Sequence, residues 1–189
     1  MQITSLNDPC DYDRILDEET PQAKRIASYL AGYNITRVLD VGCGPANYVE
    51  AMRDAGISAF GIDIDERCLR SVYCMCMDLT TADCPVQAPV VLSLEVGEHI
   101  PREHSKRYIE FIAQSGATMV VFSAARHGQT GEGHINCQDK SYWATRFEWC
   151  GYKYDPNATW DFIDYMKQGY HLGWLIQKKL NSPHISETG

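Results

Sequence analysis

Val38-Leu39-Asp40-Val41-Gly42-Cys43-Gly44-Pro45 is the stretch on which the reading of this chain turns. An apolar run stops abruptly at two glycines one residue apart, and Asn47 to Ala55 then carry a helical pattern. The spacing predicts a buried strand feeding a tight turn with no bulky side chain in the way. A flat ligand can therefore approach bare backbone near a helix N-terminus. Asp63 closes the next apolar run about 20 residues on, a separation that puts a carboxylate within reach of a ribose diol held over the turn. The pattern implies a nucleoside site.

Working outward, strands and helices alternate. Residues 1–19 read as a polar, irregular arm with an acidic cluster at Asp17, Glu18 and Glu19, and Thr20-Pro21 opens a helix that Gly32 closes. Its apolar stripe is Ala23, Ile26, Ala27 and Leu30. Strands are expected at Arg37–Val41, Ser58–Ile64, Tyr73–Met77, Ala88–Leu94 and Ala117–Ser123. Helices are expected at Asn47–Ala55, Glu66–Ser71 and Arg102–Gln114. The strands are apolar on both faces, which implies a parallel sheet covered on both sides. Asp139–Cys150 then reads as an amphipathic helix with Trp143, Phe147 and Cys150 on one face. Tyr152–Tyr154 is a short strand, Thr159–Met166 one or two helical turns, and Leu172–Leu180 a last strand. Two final strands without a full crossover helix suggest an antiparallel edge. The expected fold is α/β: a doubly wound, mostly parallel seven-stranded sheet with an antiparallel edge hairpin and helices on both faces. One domain spans 1–189, with the arm 1–19, the core 20–180 and a flexible tail 181–189. Ligands in such a sheet sit at the carboxyl ends of the strands.

The bulk composition agrees. The chain has 189 residues, 44% apolar and 22% charged, enough to bury a core. A net charge of −8 argues against nucleic acid, which needs a basic surface. No membrane span or signal-peptide shape is visible, so a cytoplasmic location is expected. The eight cysteines include no CxxC pair. Cys74 and Cys76 would share one strand face, either as small buried apolar residues or as a metal or disulfide pair.

Four segments together resemble class I S-adenosylmethionine-dependent methyltransferases. They are Val38–Gly44, Gly61-Ile62-Asp63-Ile64-Asp65, Met77-Asp78-Leu79 and Leu94-Glu95-Val96-Gly97-Glu98-His99-Ile100, in that family's order and spacing. The resemblance covers roughly residues 20 to 180 and implies a Rossmann-like fold, S-adenosylmethionine as cofactor and S-adenosylhomocysteine as product. By that resemblance the backbone of Gly42, Cys43 and Gly44 underlies the methionine part, and Asp40 orients the turn or the ligand's amino group. Asp63 accepts from the ribose hydroxyls, and Asp78 meets the adenine amine with Leu79 beside the ring. Ile64, Leu94 and Glu95 are carried over as further cofactor contacts. A carboxylate can accept from two hydroxyls or an amine, which no apolar side chain can do. Ala46 departs from the family, standing where many members have a third glycine. Asp65 reads either as an N-cap or as a ligand group. The rival cofactor is NAD, for an NAD-dependent oxidoreductase, but a dinucleotide fingerprint wants glycine where Asn47 stands. A non-catalytic S-adenosylmethionine-binding protein is the other alternative.

Methyl transfer from a sulfonium is an in-line displacement, so alignment contributes most, on the order of 7–11 kcal/mol. A base is needed only where the acceptor must lose a proton. Glu95-x-x-Glu98-His99 is the sharpest acceptor-side candidate. His99 is a base or substrate contact, or Glu98 and His99 cap and orient the next helix. In a third reading Glu95, Glu98 and His99 hold a divalent metal, although no metal is expected. The cluster resembles the Glu-x-x-Glu-His of ubiquinone-biosynthesis O-methyltransferases, which implies metal and catechol-type substrates. The glycine-rich loop Ala125–Asn136 is a hinge or lid, or a solvated connection, with His134 favoured over His127 as a catalytic residue. Aromatic residues crowd the tail, mostly as core, with residues 157–170 a suspected cover over the acceptor pocket. Tyr12 is a candidate to close over the sulfonium by cation–π contact. The expected acceptor is a small molecule methylated at oxygen or nitrogen, with neither nucleic acid nor membrane as partner, and the expected state a monomer or weak homodimer.

Overall fold

A computed structural model describes residues 12–166 and 175–179. In chain order the elements are α1 (Tyr12–Gly32), β1 (Arg37–Val41), α2 (Asn47–Asp54), β2 (Ser58–Asp63), β3 (Cys74–Cys76) and β4 (Val90–Leu94). They continue with α3 (Ser105–Gln114), β5 (Met119–Ser123), α4 (Lys140–Trp149), β6 (Tyr152–Tyr154), α5 (Pro156–Met166) and β7 (Leu175–Lys179). Short 3-10 turns occupy Glu66–Arg70, Gly97–His99 and Arg102–His104.

The seven strands form one sheet in the order β3-β2-β1-β4-β5-β7-β6. β1 pairs parallel with both β2 and β4, β2 with β3, and β4 with β5, whereas β7 runs antiparallel to β5 and to β6. The strand order therefore reverses beside β1, and the crevice between the carboxyl ends of β1 and β4 is where such a sheet receives a ligand. Two cores lie on the two faces of the sheet. Val38 belongs to the one under α1, α2 and α5, while Leu39 and Val41 belong to the one under α3 and α4. That two-sided burial explains why β1 is apolar without alternation. Ser93 ties the layers at mid-sheet, donating to the Val41 carbonyl at 2.5 Å and meeting the Tyr108 hydroxyl at 2.6 Å.

Four expectations are corrected. α1 begins at Tyr12, so residues 12–19 are helical and Pro21 lies inside the helix. Acidic residues favour the N-terminal half of a helix, and a single missing proline amide does not stop it here. The expected Ala23, Ile26, Ala27 and Leu30 stripe is buried. The helix expected from Arg102 is a 3-10 turn followed by α3 from Ser105. α5 is a helix of 11 residues, longer than one or two turns. Phe162 and Met166 are buried in the core beneath α1, with Phe162 edge-on to Tyr29 at 4.9 Å. Those contacts are core packing; residues 167–170 of the suspected cover lie outside the described residues. Residues 1–11 of the arm, the Tyr12 side chain and residues 180–189 lie outside them as well. Finally, Cys74 is buried but Cys76 is exposed, because β3 is an edge strand.

Of the tail aromatics, Trp143, Tyr152 and Phe162 are core, Trp149 and Trp160 are exposed on their helices, and Tyr165, partly exposed, sets its ring 5.1 Å from that of Tyr29. Among the described residues, no helix is long and apolar enough to cross a membrane.

Candidate functional site

The expected cofactor residues and the Glu95–His99 segment sit at or just beyond the carboxyl ends of the parallel strands. β1 ends at Val41, and the two glycines that follow do different work. Gly42 has φ +80, and a Cβ there would lie 2.3 Å from Val96 Cγ2. Its amide donates to the Ile62 carbonyl at 2.8 Å. Gly42 is thus a packing requirement, wedging the turn against the loop after β4. Gly44 has φ +48 and nothing within 4 Å of the Cβ position, so its open side is available to a ligand. Ala46, at φ 68, adopts the left-handed conformation at the N-cap of α2 and is fully buried. The family's third glycine would fit there without strain.

Asp63, at the end of β2, holds this turn. Its Oδ2 accepts from the Gly44 amide at 2.7 Å and its Oδ1 from the Asp65 amide at 2.8 Å. Burial raises its pKa above the ordinary carboxylate value, and these backbone donors only partly offset that. A carboxylate can accept more hydrogen bonds than these backbone donors supply, as a ribose hydroxyl would need. Asp78, in the turn after β3, accepts from the Thr80 amide at 2.8 Å and the Thr80 hydroxyl at 2.7 Å. Burial pulls its pKa up, but the Thr80 hydrogen bonds outweigh it and leave the carboxyl below its usual value. Leu79 beside it is buried, whereas Ile64 is exposed. Asp40 is buried within β1 behind the turn. Asp65 caps the Glu66–Arg70 turn through the Arg67 amide and pairs with the Arg67 guanidinium, which is the N-cap reading. Cys43 Sγ lies 3.9 Å from Cys74 Sγ, so the thiols that meet are these two rather than Cys74 and Cys76.

The residues expected on the acceptor side follow β4. Leu94 ends the strand half-buried, and Glu95 has φ +53, its amide donating to the Ser123 carbonyl at 3.0 Å. This left-handed residue turns the chain so that Glu98 points inward, fully buried, while His99 stays at the surface. The Glu98 carboxyl lies close to the Glu95 side chain and to the amides of Glu98 and Ala125, none of them in good hydrogen-bond geometry. Burial pushes the Glu98 carboxyl up to about 8, with the charge of Glu95 adding to it. The amides of Glu98 and Ala125 lie near enough to temper that shift. The His99 pKa is lowered, first by partial desolvation of its ring and then by the neighbouring His134.

The glycine-rich loop after β5 is not a solvated connection along its whole length. The amides of Ile135 and Asn136 both donate to the Glu98 carbonyl at 2.9 Å. The Asn136 side chain, buried, donates to Ser105 Oγ at 3.0 Å, and Ser105 also accepts from the Tyr142 hydroxyl at 2.9 Å. His134 is thereby carried to Glu98, its Nε2 lying 3.9 Å from Oε1, and its ring stands edge-on to His99 at 5.1 Å. His127 is exposed and outside this cluster. The close donor set is Glu98, His99 and His134, with His134 where the spacing had put Glu95. Asn136, Ser105 and Tyr142 were missed as the anchors of the loop. The Gly133-His134-Ile135-Asn136 run was their only signal, and it does not say what Asn136 meets.

No family model and no curated protein matches the sequence. Solved structures do match in shape. A sugar N-methyltransferase from a Streptoalloteichus species shares 10% identity at a TM-score of 0.68, covering 96% of each chain. Magnesium protoporphyrin IX methyltransferase from Synechocystis with bound SAH shares 15% identity at a TM-score of 0.64, covering 95% of this chain and 90% of that one. An S-adenosylmethionine-dependent methyltransferase from Archaeoglobus fulgidus shares 16% identity at a TM-score of 0.60, covering 88% of this chain and 99% of that one. The chain therefore has the seven-stranded fold seen in these S-adenosylmethionine-dependent methyltransferases.

Proposed function

We propose that this protein transfers a methyl group from S-adenosylmethionine to an oxygen or nitrogen of a small-molecule acceptor, releasing S-adenosylhomocysteine. One observation carries the reading: the unobstructed side of Gly44, with the half-buried carboxylate of Asp63 bonded to its amide and Asp78 at the neighbouring strand end. Carboxylates at those two positions suit a ribose diol and an exocyclic amine. The turn lacks the glycine that a pyrophosphate needs, since Asn47 takes that position. The solved proteins with this fold include methyltransferases of small molecules such as a sugar and a porphyrin.

In this reading Gly42, Cys43 and Gly44 support the methionine end, Asp63 and Ile64 the ribose, Asp78 and Leu79 the adenine. Asp40, Leu94 and Glu95 line the wall between them. The sulfonium is already activated, so the chain's task is to align nucleophile, methyl and sulfur. His99 and His134 stand on the acceptor side. His99 reaches the surface, but desolvation of its ring and the neighbouring His134 bias it toward its neutral form, the state in which an imidazole takes a proton from an acceptor hydroxyl or amine. A small acceptor, free of nucleic acid, fits the net charge of −8.

The test is transfer of a tritiated methyl from S-adenosylmethionine to fractionated metabolites. Labelled small-molecule product that vanishes in the Asp63→Ala variant supports the reading. Label appearing only in protein or nucleic acid, or in no fraction despite cofactor binding, counts against it.

A further inference from the structure

Two thiols meet beneath the β1–α2 turn, and methyl transfer makes no use of them. Cys74 in β3 pairs with Gly61 in β2, and the Cys43 amide donates to the Ile62 carbonyl, one residue further along β2, at 3.2 Å. The two cysteines therefore reach the same point of β2 from separate segments. A Cβ on Gly61 would lie 2.6 Å from Cys74 Sγ and 2.7 Å from Cys43 Sγ. The glycine leaves the space in which the sulfurs come together. They stand 3.9 Å apart, Cys43 donating to Cys74.

A disulfide bond is about 2.05 Å long, so closing the pair from its 3.9 Å contact takes an approach of about 2 Å. The turn is not free to supply it, because Gly42 is wedged against Val96. β3 is: it has three residues, stands at the sheet edge and pairs with β2 alone. The same edge position leaves Cys74 9% exposed against 4% for Cys43, so Cys74 is the sulfur a small oxidant meets first. The Cys74 pKa is lowered, first by the hydrogen bond from Cys43 and against the effect of burial. That favours the thiolate, the reactive form.

We infer that Cys43 and Cys74 are a site of reversible oxidation, at which a peroxide converts the two thiols into a disulfide tying the β1–α2 turn to β3. In the first step the Cys74 sulfur attacks a peroxide oxygen and the O–O bond breaks. With hydrogen peroxide this gives a Cys74 sulfenic acid and one water, the sulfur having lost two electrons. The Cys43 sulfur then attacks the Cys74 sulfur. The S–S bond forms, the S–O bond breaks, and the Cys43 proton leaves with the oxygen as a second water. Contact between the two sulfurs makes this step effectively unimolecular. β3 ends at Cys76, two positions before Asp78, so the bond fixes the spacing between the glycine turn and the Asp78 turn. The inference needs no cofactor to be bound and stands whether or not methyl transfer is the reaction.

The experiment treats the reduced full chain with hydrogen peroxide, alkylates the remaining thiols and maps the peptides by mass. A linked pair carrying Cys43 and Cys74 is expected, lighter by about 2 Da for the two hydrogens lost and split again by dithiothreitol. Cys76 is exposed and Cys68 buried; Cys76→Ser should form the same link as the wild type. Cys43→Ala keeps a small apolar residue in the core and removes the second thiol, so Cys74 should stop at the sulfenic acid and take up dimedone. Cys43 and Cys74 left free while Cys76 is oxidised, or Cys74 linked to Cys68 or Cys76 instead, would overturn the inference. So would a link lost in Cys76→Ser, or no dimedone on Cys74 in Cys43→Ala. S-adenosylhomocysteine affinity of the reduced protein, measured separately, tells this failure apart from failure of the methyltransferase reading.

Discussion

Alanine at the two glycines of the β1–α2 turn should have opposite consequences. At Gly42 the new Cβ meets Val96 Cγ2 at 2.3 Å, Cγ1 at 2.8 Å and Cβ at 3.1 Å, with φ at +80. The left-handed conformation costs an L-residue about 1–2 kcal/mol, and forcing a methyl into a packed contact adds about 1–3 kcal/mol. Gly42→Ala should therefore lose about 2–5 kcal/mol, or about 4–20 °C of Tm for a domain of this size. Adding Val96→Ala removes the two γ-carbons and should recover the overlap part while leaving the dihedral part. At Gly44, φ is +48 and no atom lies within 4 Å, so Gly44→Ala should cost only the conformational share, about 1–2 kcal/mol. Its methyl instead fills space assigned to the cofactor. Differential scanning calorimetry with and without S-adenosylhomocysteine separates the two: Gly42→Ala melts low, whereas Gly44→Ala melts near the wild type but gains little from ligand. A Gly44→Ala protein that binds S-adenosylhomocysteine as the wild type does, or a Gly42→Ala protein no less stable than Gly44→Ala, would refute this division of labour.

Three further outcomes are expected. The pKa of Asp63 is raised by burial above the unfolded value, so its ionised, ligand-accepting form is lost on acidification at a pH above the usual carboxylate range. S-adenosylhomocysteine affinity should fall through that window, and an affinity flat down to about pH 4 (near the reference carboxylate pKa) would remove Asp63 from the ribose. Ser93→Ala strands the buried Val41 carbonyl and Tyr108 hydroxyl and should cost about 1–3 kcal/mol in urea melts. His99→Ala should lower kcat by about 10²–10⁴ where the acceptor needs a base, leaving cofactor affinity unchanged; full turnover on the true acceptor would exclude His99.

The fold was legible because β1, β4 and β5 are buried on both faces and the strands are punctuated by glycine, so periodicity and turn chemistry agree. The positions proposed for the cofactor could be placed for the same reason: Gly42, Gly44, Asp63 and Asp78 lie at or just past strand ends whose order the sequence already implies. What stayed hidden depended on distant partners. Pro21 reads as a helix start but lies inside α1. Residues 157–170 lack a clear period, yet Phe162 and Met166 lock α5 into the core. His134 stands 36 positions beyond Glu98 in sequence numbering (134 − 98), and only the backbone bonds from Ile135 and Asn136 bring it there. Local spacing therefore nominated Glu95 as the third donor, and no local signal could have corrected it. The separate work of the two glycines was invisible too, because Val96 approaches from the far side of the sheet's switch point.

The account's central claim is that the β1 turn, Asp63 and Asp78 together hold S-adenosylmethionine. Isothermal titration of the wild-type protein with S-adenosylhomocysteine and, separately, with NAD tests it most directly. Saturable one-to-one binding of S-adenosylhomocysteine, abolished by Asp63→Ala, with no heat from NAD, is the predicted result. Binding of NAD without binding of S-adenosylhomocysteine would contradict it.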